Sequence, residues 1–465
     1  MGPPLSRTAG RFVRGSHDRT TTVGGDSVVE YLDAGCDWFA GCVGRRISGM
    51  SADAFSSEAV GLPRRRDRSF LRELERPSHV FRNIGPNWFA AVMGTGIVAN
   101  VAALLPFEWA AAKELAIAPW ALAVVLLVAL VAATVAHWVR HPERARAHLS
   151  NPAMAPFYGC PPMALLTVGA GALLVATPLI GTHAAVVVDS ALWGLGTALG
   201  LLTAVVVPAL MIRRGDLDPR HTFATWLLPV VPPMVSASTG AALIPHLPTA
   251  TLQQALLCGC YAMFGLSLVL SLLMVALLWF RLIYVDGGPP RMVPTLWIVL
   301  GPFGQSVTAV GLLGPHAAEL VKAPYGTGLE AFGVVYGLPV WGFAIAWMAI
   351  AAVITLRALR RGLPFSLTWW SFTFPVGTVV TGTALLAVQT GARPFAWLAV
   401  CLFAFLLVAW AVAFANTLRT AWTGAAFLPA PAPRPSSGPA DGSEVDRTPA
   451  ATWRPFPSPA SAPLP

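Results

Sequence analysis

Charge is scarce in this sequence. Asp, Glu, Lys and Arg make up 11% of its 465 residues against 55% hydrophobic. That balance excludes an ordinary soluble globular protein and leaves an integral membrane protein. The interiors of its apolar spans carry no acidic or basic residue. Asp189 and Glu330 fall at span ends and read as interfacial or helix N-terminal acids, so tight proton coupling lacks its usual carboxylate relay. Cysteine is sparse too: Cys160, Cys258, Cys260 and Cys401 lie in apolar spans and Cys36 and Cys42 near the start, which implies no disulfide framework. Cys258 and Cys260 face different ways on a helix and have no further ligand beside them. No phosphate-binding loop of the ATPase kind occurs, and Gly94-Thr95-Gly96 follows no strand, so neither nucleotide nor any other cofactor is expected. The net charge of +9 sits mostly in the tails and in alternate short loops. No basic stripe is interleaved with aromatics, so membrane topology explains the charge and nucleic acid is not an expected partner.

What is there is a series of ten apolar spans, at roughly 86–105, 118–139, 156–178, 187–212, 223–245, 252–280, 293–314, 330–356, 369–391 and 394–418. Most exceed the ~20 residues that a bilayer helix requires. Loops after even spans hold Arg140, Arg144 and Arg146; Arg213, Arg214 and Arg220; Arg281 and Arg291; and Arg357, Arg360 and Arg361. Loops after odd spans hold only Lys113, Lys322 and Arg393. The positive-inside rule then makes the even-to-odd loops and both termini cytoplasmic, in a plasma or inner membrane with the lipid bilayer as partner. Residues 1–81 and 421–465 lack a periodic apolar face and are expected to be disordered cytoplasmic tails flanking a transmembrane domain at 82–420. Met50 offers a shorter alternative start.

The odd spans share a pattern. Aligned on an aromatic, five copies begin at Trp88, Phe157, Trp226, Trp297 and Trp370, at spacings of 69, 69, 71 and 73 residues, which reads as a duplicated membrane hairpin. Each copy carries a helix breaker five to eight places on: Gly94 and Gly96, Pro162, Pro232 and Pro233, Pro302, and Pro375. Proline within a helix frees a carbonyl, which in lipid is tolerable only facing protein or a watery cavity. All five segments are therefore expected to bend near mid-span and to face one axis. The even spans, rich in Leu, Val and Ala, are expected outside them, although Pro339 departs from that rule.

The polar groups of the odd spans are neutral. Thr95, Thr167, Ser236, Ser238, Gln305, Thr308, Thr378 and Thr381 are the candidate pore-lining residues, whose donors could replace part of an anion's hydration shell without trapping it. The alternative for each is a bond back to its own helix or across to a neighbour. His137 and His141, four residues apart, share a helix face, and a membrane metalloenzyme built on them is a distant alternative. They lack the intervening Glu and third ligand of a metal motif, so neither a metal nor an enzyme is expected.

NWFAAVMGTGIVAN at 87–100, PTLWIVLGPFGQSVTA at 294–309 and WWSFTFPVGT at 369–378 resemble the tellurite-resistance/dicarboxylate transporter family. That family also takes in malate permeases, sulfite efflux pumps and slow anion channels. The resemblance runs over roughly residues 82–420. It implies an all-α fold of ten helices in five hairpins around a quasi-fivefold pore, usually in homotrimers, with a phenylalanine on the ninth helix blocking the conduit. Phe374 best matches that gate, with Phe372 as the fallback. In the repeat alignment the equivalent positions are Val92, Pro161, Val230 and Gly301, so only the fifth copy places a bulky ring at this level. The function implied is passive or weakly coupled flux of a small anion: sulfite, a C4-dicarboxylate or an inorganic anion. A proton-coupled dicarboxylate carrier of the same fold is the alternative.

Overall fold

The computed structural model describes residues 70–106, 110–214, 220, 222–285 and 288–428. Among them there is no strand. Nine helical segments are long and apolar enough to cross a bilayer.

Five times the chain makes the same excursion. A short 3-10 stretch leads into a buried α-helix, and a longer, lipid-exposed helix returns. The buried members are α1 (Phe89–Leu104), α4 (Cys160–Leu174), α6 (Pro232–Gly240), α8 (Leu300–Leu320) and α10 (Phe374–Thr390). Their returning partners are α2 (Ala110–Arg140), α5 (Thr182–Arg214), α7 (Ala250–Tyr284), α9 (Tyr325–Arg360) and α11 (Arg393–Thr423), with α3 (Pro142–Ser150) lying between α2 and α4. The third inner segment is too short to count as a spanning helix by itself, because Ala224–Leu227 and Ala241–His246 on either side of α6 are 3-10 helix.

Burial separates the two sets. The inner spans that qualify by length are 67–94% buried and the outer ones 22–33%. Each inner helix packs against the next and α10 packs back on α1, so the five close into a ring with one partner outside each. A helix surrounded by protein must be apolar on every side, and the inner sequences are.

The breakers do not act as mid-helix kinks. Pro162, Pro232, Pro233 and Pro375 occupy the first turns of α4, α6 and α10, after the 3-10 stretch has ended. Pro302 is the third residue of α8. N–H groups in a first turn have no intrahelical acceptor, so proline sacrifices nothing there and instead sets where the α-helix begins. In the first copy α1 runs unbroken through Gly94 and Gly96. Those glycines serve close packing: a β-carbon at Gly94 would lie 2.3 Å from Thr373 Oγ1, and one at Gly96 would lie 2.8 Å from Thr167 Cγ2.

The packed part reaches beyond 82–420. Leu71 and Glu73 donate backbone bonds to the carbonyls of Trp422 and Thr423 at 2.9 and 3.0 Å. Trp88 stacks on Phe427, with ring centroids 5.0 Å apart. Met50 and most of both expected tails lie outside the described residues.

Candidate functional site

A cavity of about 120 Å³ lies inside the ring, and all five inner segments contribute to its wall. From α1 come Ile97, Asn100 and Leu104, and from α4 Thr167, Ala170 and Leu174. The third segment adds Val235, Ser238, Thr239, Ala241 and Ala242. Gln305, Thr308, Leu312 and His316 come from α8, while α10 supplies Phe374 and Thr381. The spacing along α1, α4 and α8 is three or four residues, and the two residues of α10 are seven apart, each of which is one face of an α-helix turned to a common axis. The wall is mostly apolar, with a few polar side chains.

Of the residues singled out in the sequence, Thr167, Ser238, Gln305, Thr308, Thr381 and Phe374 line this cavity. Thr95, Ser236 and Thr378 are buried but lie elsewhere in the ring wall. Thr95 Oγ1 accepts from Trp410 Nε1 of α11 at 3.2 Å. Ser236 Oγ accepts from Thr197 of α5 at 2.9 Å. Thr378 Oγ1 is held between the carbonyls of Pro375 at 2.7 Å and Leu300 at 3.1 Å, in the α8–α10 seam. Phe374 is 3% exposed and opens α10. Phe372, still in the 3-10 stretch, packs edge-on against Trp297 and Trp369, with centroids 5.3 and 5.8 Å away.

Asn100 and His316 also line the cavity and were not among the sequence candidates. His316 extends a helical stripe already in hand, since Gln305 and Thr308 lead by turns of three to four residues to Leu312 and His316. On α1 the candidate was Thr95, which is turned to Trp410, so no stripe in the sequence pointed to Asn100.

The hydroxyl protons facing the cavity already have protein acceptors. Thr167 Oγ1 donates to the Met163 carbonyl at 2.7 Å, Thr239 Oγ1 to Val235 at 2.8 Å and Ser238 Oγ to Val235 at 2.9 Å. Thr308 and Thr381 stand 2.7 Å apart and reach the Gly304 and Thr378 carbonyls, each at 3.0 Å. The expectation that these hydroxyls offer free donors is thereby corrected. Toward the cavity they present lone pairs, because back-bonding to the preceding turn is the nearest use for their protons.

One acid at a span end is buried. Asp189 lies about two turns inside α5 and is 0% exposed. Neither carboxylate oxygen has a hydrogen-bond partner among the described residues. The side chain occupies the space that Gly169 of α4 leaves, where a β-carbon would be 2.7 Å from Asp189 Oδ1. Glu330, near the start of α9, is exposed as expected of a span end.

The histidines gather at the far end of α2. His137 is buried, and its Nδ1 donates to the Phe81 carbonyl at 2.9 Å. The His148 ring stacks on it at 5.2 Å, while His141 is 6.2 Å away and tilted. Burial, and then the His137 charge, hold His148 below the usual histidine range. Among the described residues no group of three His, Cys, Asp or Glu is arranged to hold a metal ion.

A ring of hairpins around a cavity, with no Asp, Glu, Lys or Arg in its wall among the described residues, defines a membrane channel or transporter. The sequence carries the same assignment: residues 83–418 match the family profile described as voltage-dependent anion channel, and the chain belongs to that family. It is 26% identical over 359 residues to an uncharacterized transporter of Methanocaldococcus jannaschii, covering 77% of this chain and 99% of the archaeal protein. Sulfite efflux pumps of Arthroderma otae and Candida albicans are 26% identical over 352 residues and 23% over 343. The first alignment covers 74% of this chain and 92% of the pump, the second 68% and 69%.

Proposed function

We propose that this chain carries a small oxyanion down its gradient along the axis of the ring, through ten membrane crossings, with Phe374 closing the path. In this reading both termini lie on the cytoplasmic side of a cell membrane and copies associate in threes, as the family resemblance implies. The observation that carries the reading is the cavity itself, to which every inner segment contributes and which Phe374 bounds. Its volume is about 120 Å³ and its wall holds no Arg or Lys among the described residues. This suits a compact inorganic anion better than a C4-dicarboxylate, for whose two carboxylates the wall offers no basic clamp. The sulfite efflux pumps among the relatives favour the same class.

The test is flux in vesicles reconstituted with the purified chain. Sulfite should leave loaded vesicles without nucleotide and without a pH gradient. A protein that moves no anion under these conditions, though folded and inserted, would sink the proposal.

A proton-coupled carrier of the same fold is the second reading, and Asp189, buried within α5, is what favours it. Its mark is anion movement that reverses with an imposed pH gradient and is lost in Asp189→Asn. Flux indifferent to both removes it.

A further inference from the structure

A second cavity, of about 600 Å³, lies at the arginine-rich end of the ring, where the 3-10 stretch leading into α8 meets the end of α9. Arg291, Arg357 and Arg361 line it together with Val293, Ile354 and Leu363, and its wall holds no Asp or Glu among the described residues. All three arginines are exposed. None of them makes an ion pair or a side-chain hydrogen bond among the described residues. Nor are they spent on closing the helix: the carbonyls of Ala358 and Leu359 accept from the backbone N–H groups of Arg361 and Gly362 at 3.1 and 3.0 Å. Gly362, at φ +88°, makes that turn. Across the cavity the backbone of Arg291 is pinned, its carbonyl accepting from Thr368 Oγ1 at 3.0 Å. Membrane topology asks for arginines on this side but not for their convergence on one cavity. Like charges gathered there repel one another, and a bound anion relieves the repulsion.

The sequence of α9 says what kind of anion. Ile350, Ile354, Arg357 and Arg361 recur at intervals of four, three and four residues, which keeps them on one face. Ile350 and its neighbour Val353 are exposed on the outer surface of the ring. The stripe is thus apolar within the span and basic where the helix ends, in the same order as the parts of a phospholipid standing beside it. Basic pockets between membrane helices suit phosphate headgroups, and the planar fork of a guanidinium matches phosphate oxygens. We propose that this cavity binds the phosphate of an anionic phospholipid, held by Arg291 from the lead into α8 and by Arg357 and Arg361 from the end of α9, with an acyl chain lying along Ile350 and Ile354. A free phosphate compound shares the headgroup's chemistry, and the apolar half of the stripe favours the lipid. Such a site is independent of what the central cavity carries.

A ligand that binds only the folded protein raises its thermal midpoint. The experiment follows that midpoint for the full chain in detergent as short-chain phosphatidic acid, phosphatidylglycerol or phosphatidylcholine is added, with inorganic pyrophosphate as the soluble arm. The two anionic lipids should raise it saturably, and phosphatidylcholine, whose headgroup carries no net charge, should not. Half-saturation should need about tenfold more lipid in Arg357→Gln and in Arg361→Gln, each of which removes one charged hydrogen-bond donor. Both side chains are exposed, so these variants keep the packing of the ring. Arg146→Gln removes the same charge from α3, outside the cavity wall, and should change half-saturation by about twofold or less.

A rise with pyrophosphate and with none of the lipids would support the phosphate site and assign it to a soluble ligand. No rise with any anion would overturn the proposal, as would an equal rise with phosphatidylcholine. Half-saturation unchanged in both cavity variants, or shifted as far by Arg146→Gln as by Arg357→Gln, would overturn it too, because the effect would then belong to net charge and not to this cavity.

Discussion

Trp410 of α11 donates from its indole Nε1 to Thr95 Oγ1 of α1 at 3.2 Å, although the two are 315 residues apart in the chain. The last hairpin is thereby tied to the first inner helix, and α10 lies against α1 on the inside of the same junction. A row of five hairpins becomes a closed ring only if this seam holds. The seam is polar as well as packed: Trp370 Nε1 donates to Thr417 Oγ1 at 3.0 Å beside it.

Close approach of the inner helices depends on glycine at a few positions. A β-carbon at Gly304 would stand 2.5 Å from Thr378 Oγ1 and 2.6 Å from the Val379 backbone nitrogen, so α10 itself would have to move. Gly304→Ala should destabilise the protein by about 1–3 kcal/mol. Gly194 of α5, with nothing within 4 Å of its β-carbon position, should accept alanine with no loss or a gain of about 0.5–1 kcal/mol. Thermal unfolding in detergent checks the pair, and equal midpoints would contradict the packing argument.

Phe374 and Phe372 should respond to truncation with opposite signs. If Phe374 closes the path, Phe374→Ala opens it at a level where the other copies place Val92, Pro161, Val230 and Gly301, and anion flux rises several-fold or more. Phe372 is wedged against two tryptophans outside the cavity, so Phe372→Ala should cost about 2 kcal/mol of stability and leave flux no higher. Flux through folded Phe374→Ala that is unchanged or reduced counts against the gate.

The histidine cluster predicts a direction for acid sensitivity. His148 has a value lowered from the ordinary 6.5, by burial first and by His137 second. His141 is lowered too, by desolvation ahead of His137 and nearby arginines. The unfolded chain then binds these protons more tightly than the folded one. The stabilisation is complete above 6.5 and is lost as pH falls below it. The thermal midpoint should drop between about pH 7 and about pH 5, and drop less in His148→Gln. An identical drop in the variant would assign the acid sensitivity elsewhere.

Orientation can be read by labelling. Lys322 lies in the short turn between α8 and α9, on the arginine-poor side of the ring. In a cysteine-free background Lys322→Cys should react with an impermeant maleimide added to intact cells, and Arg360→Cys at the end of α9 should react only after permeabilisation. The reverse pattern would invert the topology.

Composition and spacing alone determined that the chain is a membrane protein, that it is built from five related hairpins, and that the odd spans are the inner ones. Those are properties of order along the chain: apolar length, alternating arginine content and a repeat near 70 residues. Tertiary structure decided which way each buried polar side chain faces. An inner helix is apolar all round, so hydrophobic periodicity does not mark a cavity face. Only the neighbours send Thr95, Ser236 and Thr378 into helix seams while Thr167, Thr308 and Thr381 face the axis. Packing likewise buried Asp189 in the α4–α5 contact, because Gly169 leaves room for it. It also turned the prolines from kinks into helix starts, because a 3-10 stretch precedes each.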